Sequence, residues 1–391
     1  MLGHINIFGG ILTEDIVVHR GLEGIYVTES SLSYIDGEEG KVYVRGYDLT
    51  ELAMKSTYEE VVYLLIYGKL PNKRELYNWI DAISSNYSIE EGMKKILREI
   101  PRWNSPLDVL KYSLLTIGLW DREQNRLDRD GLYEKIVNIL GKTPTILSAW
   151  YRISMDLDII EPRRDLGYAA NFLYMVRGEH NGDDARALDT DLILHIEHGM
   201  NASSFAGLVT ISTLSDLYSA VTSSINTLKG PLHGGAAGAA LKQFREIGSP
   251  ENAEKYVMDK LSKKERIMGF GHRVYKTYDP RAKVLKNMLM EMDLKGEAKR
   301  LFEIALKVEE ICMDKLCRTK RICPNVDFYA GILYVHLGFP IEYGPAIFAL
   351  SRIGGWIAHI LEYLESPRLI RPRHKYIGPK GLKYTPLEER D

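Results

Sequence analysis

Apolar residues recur at three- and four-residue steps along most of the chain, the spacing of helices that bury one face. Leu301, Ile304, Ala305, Val308 and Ile311 form one such stripe, predicting a helix over 301–316. Gly344-Pro345 opens another, running through Ala349, Ile353 and Ile357 to about Leu364. Helix starts are marked by Ser56-Thr57, by Ser105-Pro106-Leu107-Asp108 and by Ser249-Pro250-Glu251. In each a hydroxyl stands where it can accept from the free amides of the first turn, and Pro suits that turn because it lacks an amide proton. Only 21–50 departs from this pattern. Alternation at Ile25–Thr28, Ser33–Ile35 and Lys41–Arg45 predicts extended structure, with Asp36-Gly37-Glu38-Glu39-Gly40 as a hairpin turn. The pattern therefore predicts an all-α protein with a small β-hairpin near the N-terminus.

Composition narrows the function classes. The 391 residues are 45% hydrophobic and 27% charged, which excludes a disordered chain. A net charge of −2 gives no support to nucleic acid as a partner. No run of about 18 apolar residues is present, which argues against a membrane span. Residues 1–20 lack a basic segment before their apolar part and read as an extension rather than a secretory signal. Cys312, Cys317 and Cys323 are too few to staple a chain of this length, so reduced thiols and a cytoplasmic location are expected.

Three loops rich in Gly and Pro each hold a titratable residue: 229–235 with His233, 268–272 with His272, and 324–327 with Asp327. His233 precedes a small-residue run that should start a helix. There the positive end of the helix dipole disfavours imidazolium, and a neutral ring can donate to a developing enolate. A buried turn histidine fits the residues equally well. His272 is followed by Arg273, Lys276 and Arg281, a density of cations suited to an anion pocket or to a solvated charged loop. Asp327, between Val326 and Phe328, is expected to be desolvated, which raises a carboxylate pKa and makes it a usable base; it also suits the start of a helix. Arg352 sits in an apolar helix and needs a partner, either a substrate carboxylate or an internal acid.

These segments, in order, resemble the citrate synthase family, and its shorter bacterial and archaeal members most. The resemblance rests on His195-Ile196-Glu197-His198-Gly199-Met200-Asn201-Ala202-Ser203, on Gly230-Pro231-Leu232-His233-Gly234-Gly235-Ala236, and on Met268 through Arg281. Pro324-Asn325-Val326-Asp327-Phe328-Tyr329, Ser351-Arg352 with Gly355–His359, and Arg371-Pro372-Arg373 complete it. It covers about 21–378. It implies an acyltransferase that condenses acetyl-CoA with oxaloacetate and hydrolyses the citryl thioester to citrate and CoA, with acetyl-CoA as co-substrate and no cofactor or metal. It implies roles for individual residues. Asp327 would be the base on the acetyl methyl group, His233 the donor to the enolate, and His272 the donor to the oxaloacetate carbonyl. His198, Arg281 and Arg352 would hold oxaloacetate, with Arg371 reaching across a homodimer interface, and Lys276 and Arg266 would contact CoA. It also implies two domains about a cleft: a large one from 1–227 and 338–391, and a small one from 228–337.

The chain departs from the family pattern at Gly199, Ala237, Gly238 and Ala330, where members often carry polar side chains. Two other readings follow. One is a 2-methylcitrate synthase acting on propionyl-CoA, since one methylene discriminates by only about 1–3 kcal/mol. The other is a non-catalytic paralogue that binds oxaloacetate or CoA, against which the retained Asp327 speaks. A metalloprotein built on His195 and His198 fails for want of a third ligand motif.

Overall fold

A computed structural model describes residues 17–390. The expected extension, 1–20, lies mostly outside the described residues. The chain divides into two compact units. Ser30–Leu369 carries nearly all the regular structure. The second unit, whose described parts are 17–29 and 370–390, holds two short 3-10 turns, Arg20–Leu22 and Leu387–Glu389, in otherwise irregular and mostly exposed chain. Ile25–Thr28 belong to it and are not a strand, contrary to the alternation; no described strand pairs with them, and Tyr26 is 97% exposed.

The main unit is helical apart from one small antiparallel sheet, β1 (Ser33–Asp36), β2 (Lys41–Val44) and β3 (Tyr47–Asp48), in the order β1-β2-β3. Ser33 pairs with Val44 and Asp36 with Lys41. The Asp36 carboxylate accepts from the amides of Glu38 (3.0 Å) and Glu39 (2.8 Å), which closes the turn. Val42 and Val44 face the core while Lys41 points outward.

Capping chemistry sets the helix starts. Thr57 caps Tyr58–Tyr67, Ser105 caps Pro106–Trp120, Asn201 caps Ala202–Ile211 and Asp279 caps Pro280–Glu291. Ser249 does not: a 3-10 turn, Pro250–Asn252, intervenes before Ala253–Ser262. The helix expected over 301–316 runs from Gly296 to Cys312 and passes into a π-type turn, Met313–Cys317. Helices 236–247, 253–262, 280–291, 296–312 and 327–336 pack chiefly on one another.

Gly344–Leu364 is the central helix, packed against helices 58–67, 182–195, 202–211 and 217–228. Ile341–Leu364 has the length and mean hydropathy (1.2) of a membrane span, but 83% of its most apolar window is buried in the protein. Gly355 lies so close to the turn after helix 182–195 that a Cβ there would stand 2.1 Å from the Ile196 carbonyl oxygen. That approach brings Arg352 and Trp356 to the segment 195–203.

The expectation of reduced thiols is also overturned. Cys317 and Cys323 form a disulfide, and only Cys312 is a free, buried thiol. Arg321 adopts a left-handed backbone (φ 59°) that reverses the chain and brings the two Cα atoms within 4.4 Å.

Candidate active site

Three segments converge beneath the central helix: the cap of helix 202–211, the loop before helix 280–291 and the start of helix 327–336. The second holds His272. Its Nδ1 accepts from the amides of Val274 (3.0 Å) and Tyr275 (3.1 Å). A ring nitrogen that accepts twice carries no proton, so the neutral ring holds its hydrogen on Nε2, as a donor. Burial, then Arg281, pushes its pKa down to about 4. His198 lies edge-on to it with ring centroids 5.1 Å apart, and its Nε2 meets the Tyr275 hydroxyl at 3.1 Å. Burial first, then Arg281 and His272, holds His198 far below the usual histidine range.

Arg281 is buried, and Asp279 grips it. Nε and Nη2 donate to the two carboxylate oxygens at 3.0 and 2.8 Å, and the Arg281 amide donates to Oδ1 at 3.0 Å. The Val326 amide donates to Asp279 Oδ2 at 3.2 Å, so one carboxylate ties the arginine to the segment that carries Asp327. Arg352 is also buried. It donates to the His195 carbonyl and lies 4.5 Å from the centroid of the Phe348 ring. Its acid neighbours are Glu197 and Asp327, both of which favour its charged form. Its hydrogen bond goes to the His195 carbonyl, and the two acids act on it through their charge.

Asp327 is the first residue of its helix, with Val326 in the capping position. Burial raises its pKa, while His195, Arg281 and Arg352 pull the other way. His233 Nε2 lies 2.8 Å from Ser203 Oγ. Ser203 has one hydroxyl proton and also receives the Trp356 indole N–H at 3.1 Å. The third neighbour of the hydroxyl is Asn201 Oδ1, which accepts its proton at 2.7 Å as well as the amides of Ser203 and Ser204. His233 is neutral: burial, then Arg352, pushes its pKa down to about 4.

His198, His272, Arg281, Arg352, Asp327 and His233 thus share one electrostatic environment. Lys276 and Arg266 are exposed; Lys276 belongs to the His272 loop, where its Nζ donates to the Arg273 carbonyl at 3.4 Å. Arg371 belongs to the second unit and is exposed there. Among the described residues, no three His, Cys, Asp or Glu side chains are placed to hold a metal.

Sequence reading gave no role to Asp279, Ser203 or Tyr275. Asp279 carried a signal, since Asp-Pro-x is a helix start that places a carboxylate beside the next turn. Ser203 and Tyr275 carried none, because their partners lie 30 and 77 positions away.

The family profile for the citrate synthase C-terminal domain matches residues 21–373. The chain is 42% identical to the citrate synthase of Haloferax volcanii over 380 residues, covering 95% of this chain and 98% of that one. It is similar in structure to the citrate synthase of Pyrobaculum aerophilum, with a TM-score of 0.91, 40% identity and complete coverage of both chains. A ternary complex of carboxymethyl coenzyme A and oxaloacetate with the citrate synthase of Thermoplasma acidophilum matches with a TM-score of 0.90 and 37% identity, over 96% of this chain and all of that one. The chain belongs to the citrate synthase family. It is an acyltransferase of that type, with an acyl-CoA as co-substrate and no further cofactor.

Proposed function

We propose that this chain condenses acetyl-CoA with oxaloacetate and hydrolyses the resulting thioester to citrate and CoA through Asp327, His233 and His272. The observation that carries the assignment is the tautomer of His272: two backbone amides occupy Nδ1, leaving Nε2–H as a fixed donor in the environment of Arg281. Such a donor polarises a ketone carbonyl, and the two buried guanidinium groups with His198 orient a dicarboxylate. Asp327, desolvated and therefore more basic than an ordinary carboxylate, removes a methyl proton next to the thioester. His233, neutral and hydrogen-bonded to Ser203, donates to the enolate oxygen.

The mutual packing of the five helices between 236 and 336 supports a small domain over 228–337 that closes on the large domain from 1–227 and 338–391. Closure would exclude water from the thioester. A cytoplasmic homodimer completes the reading. Helix Pro106–Trp120 exposes Tyr112, Leu115 and Leu119 at three- and four-residue steps, an apolar stripe fit for a second copy. In that dimer Arg371 serves the neighbouring site, and Lys276 and Arg266 meet the CoA phosphates.

The test is oxaloacetate-dependent release of CoA thiol from acetyl-CoA and propionyl-CoA, with Asp327→Ala beside the wild type. The expected result is faster turnover of acetyl-CoA, lost in the variant. Turnover retained by Asp327→Ala overturns the assignment of the base. No turnover by folded wild-type protein that binds oxaloacetate overturns the reaction for this chain.

A further inference from the structure

The hairpin turn between β1 and β2 packs on the turn that sets the His272 tautomer. The Lys276 amide donates to the Gly37 carbonyl at 2.8 Å. Arg321 donates from Nε to the Lys276 carbonyl at 3.3 Å and pairs through Nη2 with Glu38. Within this contact Gly37 comes closest: a Cβ there would stand 2.2 Å from the Val274 carbonyl oxygen and 2.8 Å from its carbon. Gly37 is not among the residues with left-handed φ, so the missing side chain serves approach rather than conformation. Gly40 makes the next contact, with a Cβ position 2.7 Å from Thr277 Cγ2. The residues gripped, Val274 to Thr277, include both whose amides donate to His272 Nδ1.

We propose that Gly37, Glu38 and Arg321 are positioning residues for His272: the hairpin tip presses the 274–276 backbone into the turn whose two amides hold Nδ1 free of a proton. The catalytic consequence rests on the role of His272 given above; the structural one does not. Moving the Val274–Tyr275 peptide by the ångström or so that a methyl group at 37 demands carries the Tyr275 amide with it and lengthens its 3.1 Å bond to Nδ1 beyond useful range. Nδ1 then competes for the ring proton, and Nε2–H ceases to be the fixed donor. Arg321 locks the contact from the other flank, inside the loop that the Cys317–Cys323 disulfide closes.

The experiment compares wild type with Gly37→Ala, and with Arg321→Gln as the exposed change that leaves the packing of Gly37 intact. Histidines labelled with 15N report the His272 tautomer in substrate-free protein, and steady-state assays report kcat and KM. The expected result is a mixed His272 tautomer in Gly37→Ala, with kcat down about tenfold, a fraction of the ~10²–10³ lost when such a donor is removed outright. Arg321→Gln should shift both in the same direction by less. An unchanged tautomer in folded Gly37→Ala overturns the proposal; if that variant does not fold, an unchanged tautomer in Arg321→Gln does so. A changed tautomer with full turnover upholds the grip of the tip and overturns the role given to His272, so the two readings fail separately.

Discussion

Asp279→Asn removes a single charge from the most heavily used carboxylate in the site. Asp279 is fully buried and accepts from four donors: the Arg281 amide, Arg281 Nε, Arg281 Nη2 and the Val326 amide. The first two reach Oδ1 and the last two Oδ2. Whichever way an asparagine amide is turned, its NH2 faces two of these donors. Opposite charges 2.8 Å apart attract by about 6 kcal/mol at an effective dielectric of about 20, most of which offsets desolvation. Removing one partner leaves a buried guanidinium without its counter-ion, a loss of ~3–5 kcal/mol. That is a large part of the ~5–15 kcal/mol that holds a typical domain together. If Arg281 binds substrate carboxylate, losing its orientation forfeits a charge-assisted bond worth ~1.5–3 kcal/mol, so KM for oxaloacetate should rise about ten- to a hundredfold. Urea unfolding and steady-state kinetics measure the two effects independently. A variant within about 1 kcal/mol of wild type and with unchanged KM would refute the claim that this carboxylate organises the site.

Further outcomes follow from the same geometry. Ser203→Ala should lower kcat more than it alters either KM, by about tenfold, because His233 loses the hydroxyl beside Nε2; equal turnover would dissociate Ser203 from the chemistry. Thiol titration of the denatured, unreduced protein should find one reactive cysteine rather than three. Reduction should cost about 2 kcal/mol of stability, the chain-entropy value for so short a loop, and three thiols at the outset would remove the disulfide from the account. Leu119→Glu places a charge on the exposed stripe of helix 106–120 and should convert the proposed dimer to monomer in sedimentation velocity; a dimer in the variant moves the interface elsewhere, and a monomeric wild type removes it. Acid should destabilise the fold early. With His233 and His272 near 4 in the folded state and 6.5 unfolded, the unfolded chain binds more protons between those values, so stability falls as pH drops from about 6.5 toward 4.

The helical architecture was legible because its signals are local. Ser105-Pro106-x-Asp108 and Gly344-Pro345 lie within one turn of what they specify, and both open helices where expected. The alternation at Ile25–Thr28 was equally local and misled, because a strand needs a partner that periodicity does not supply. The cysteines misled for a related reason. Their count was weighed against the length of the chain, whereas the bond joins positions only six apart across a turn made by the left-handed Arg321. In the site, sequence marked the side chains that stand in unusual loops. It did not mark what holds them, since Ser203 on His233, Tyr275 on His198 and Gly37 against Val274 are contacts between distant segments.

The charges of the site form one system. Arg281 opposes protonation of His198 and His272, Arg352 opposes protonation of His198 and His233, and both hold down the pKa of Asp327 against burial. A bound dicarboxylate would cancel much of that positive field. The pKa of Asp327 should then rise further, making it a stronger base once oxaloacetate is in place, and the histidines should accept a proton more readily when the thioester is cleaved. The kinetic consequence has a sign. As the proposed base, Asp327 must be ionised to act, so activity should fall as pH drops through its pKa, and the acid limb of kcat/KM for oxaloacetate should report it in the free enzyme. The acid limb of kcat, which reports the complex, should lie at higher pH. Coincident limbs would mean that the arginines do not couple to the base, and the arrangement of charges would then serve binding alone.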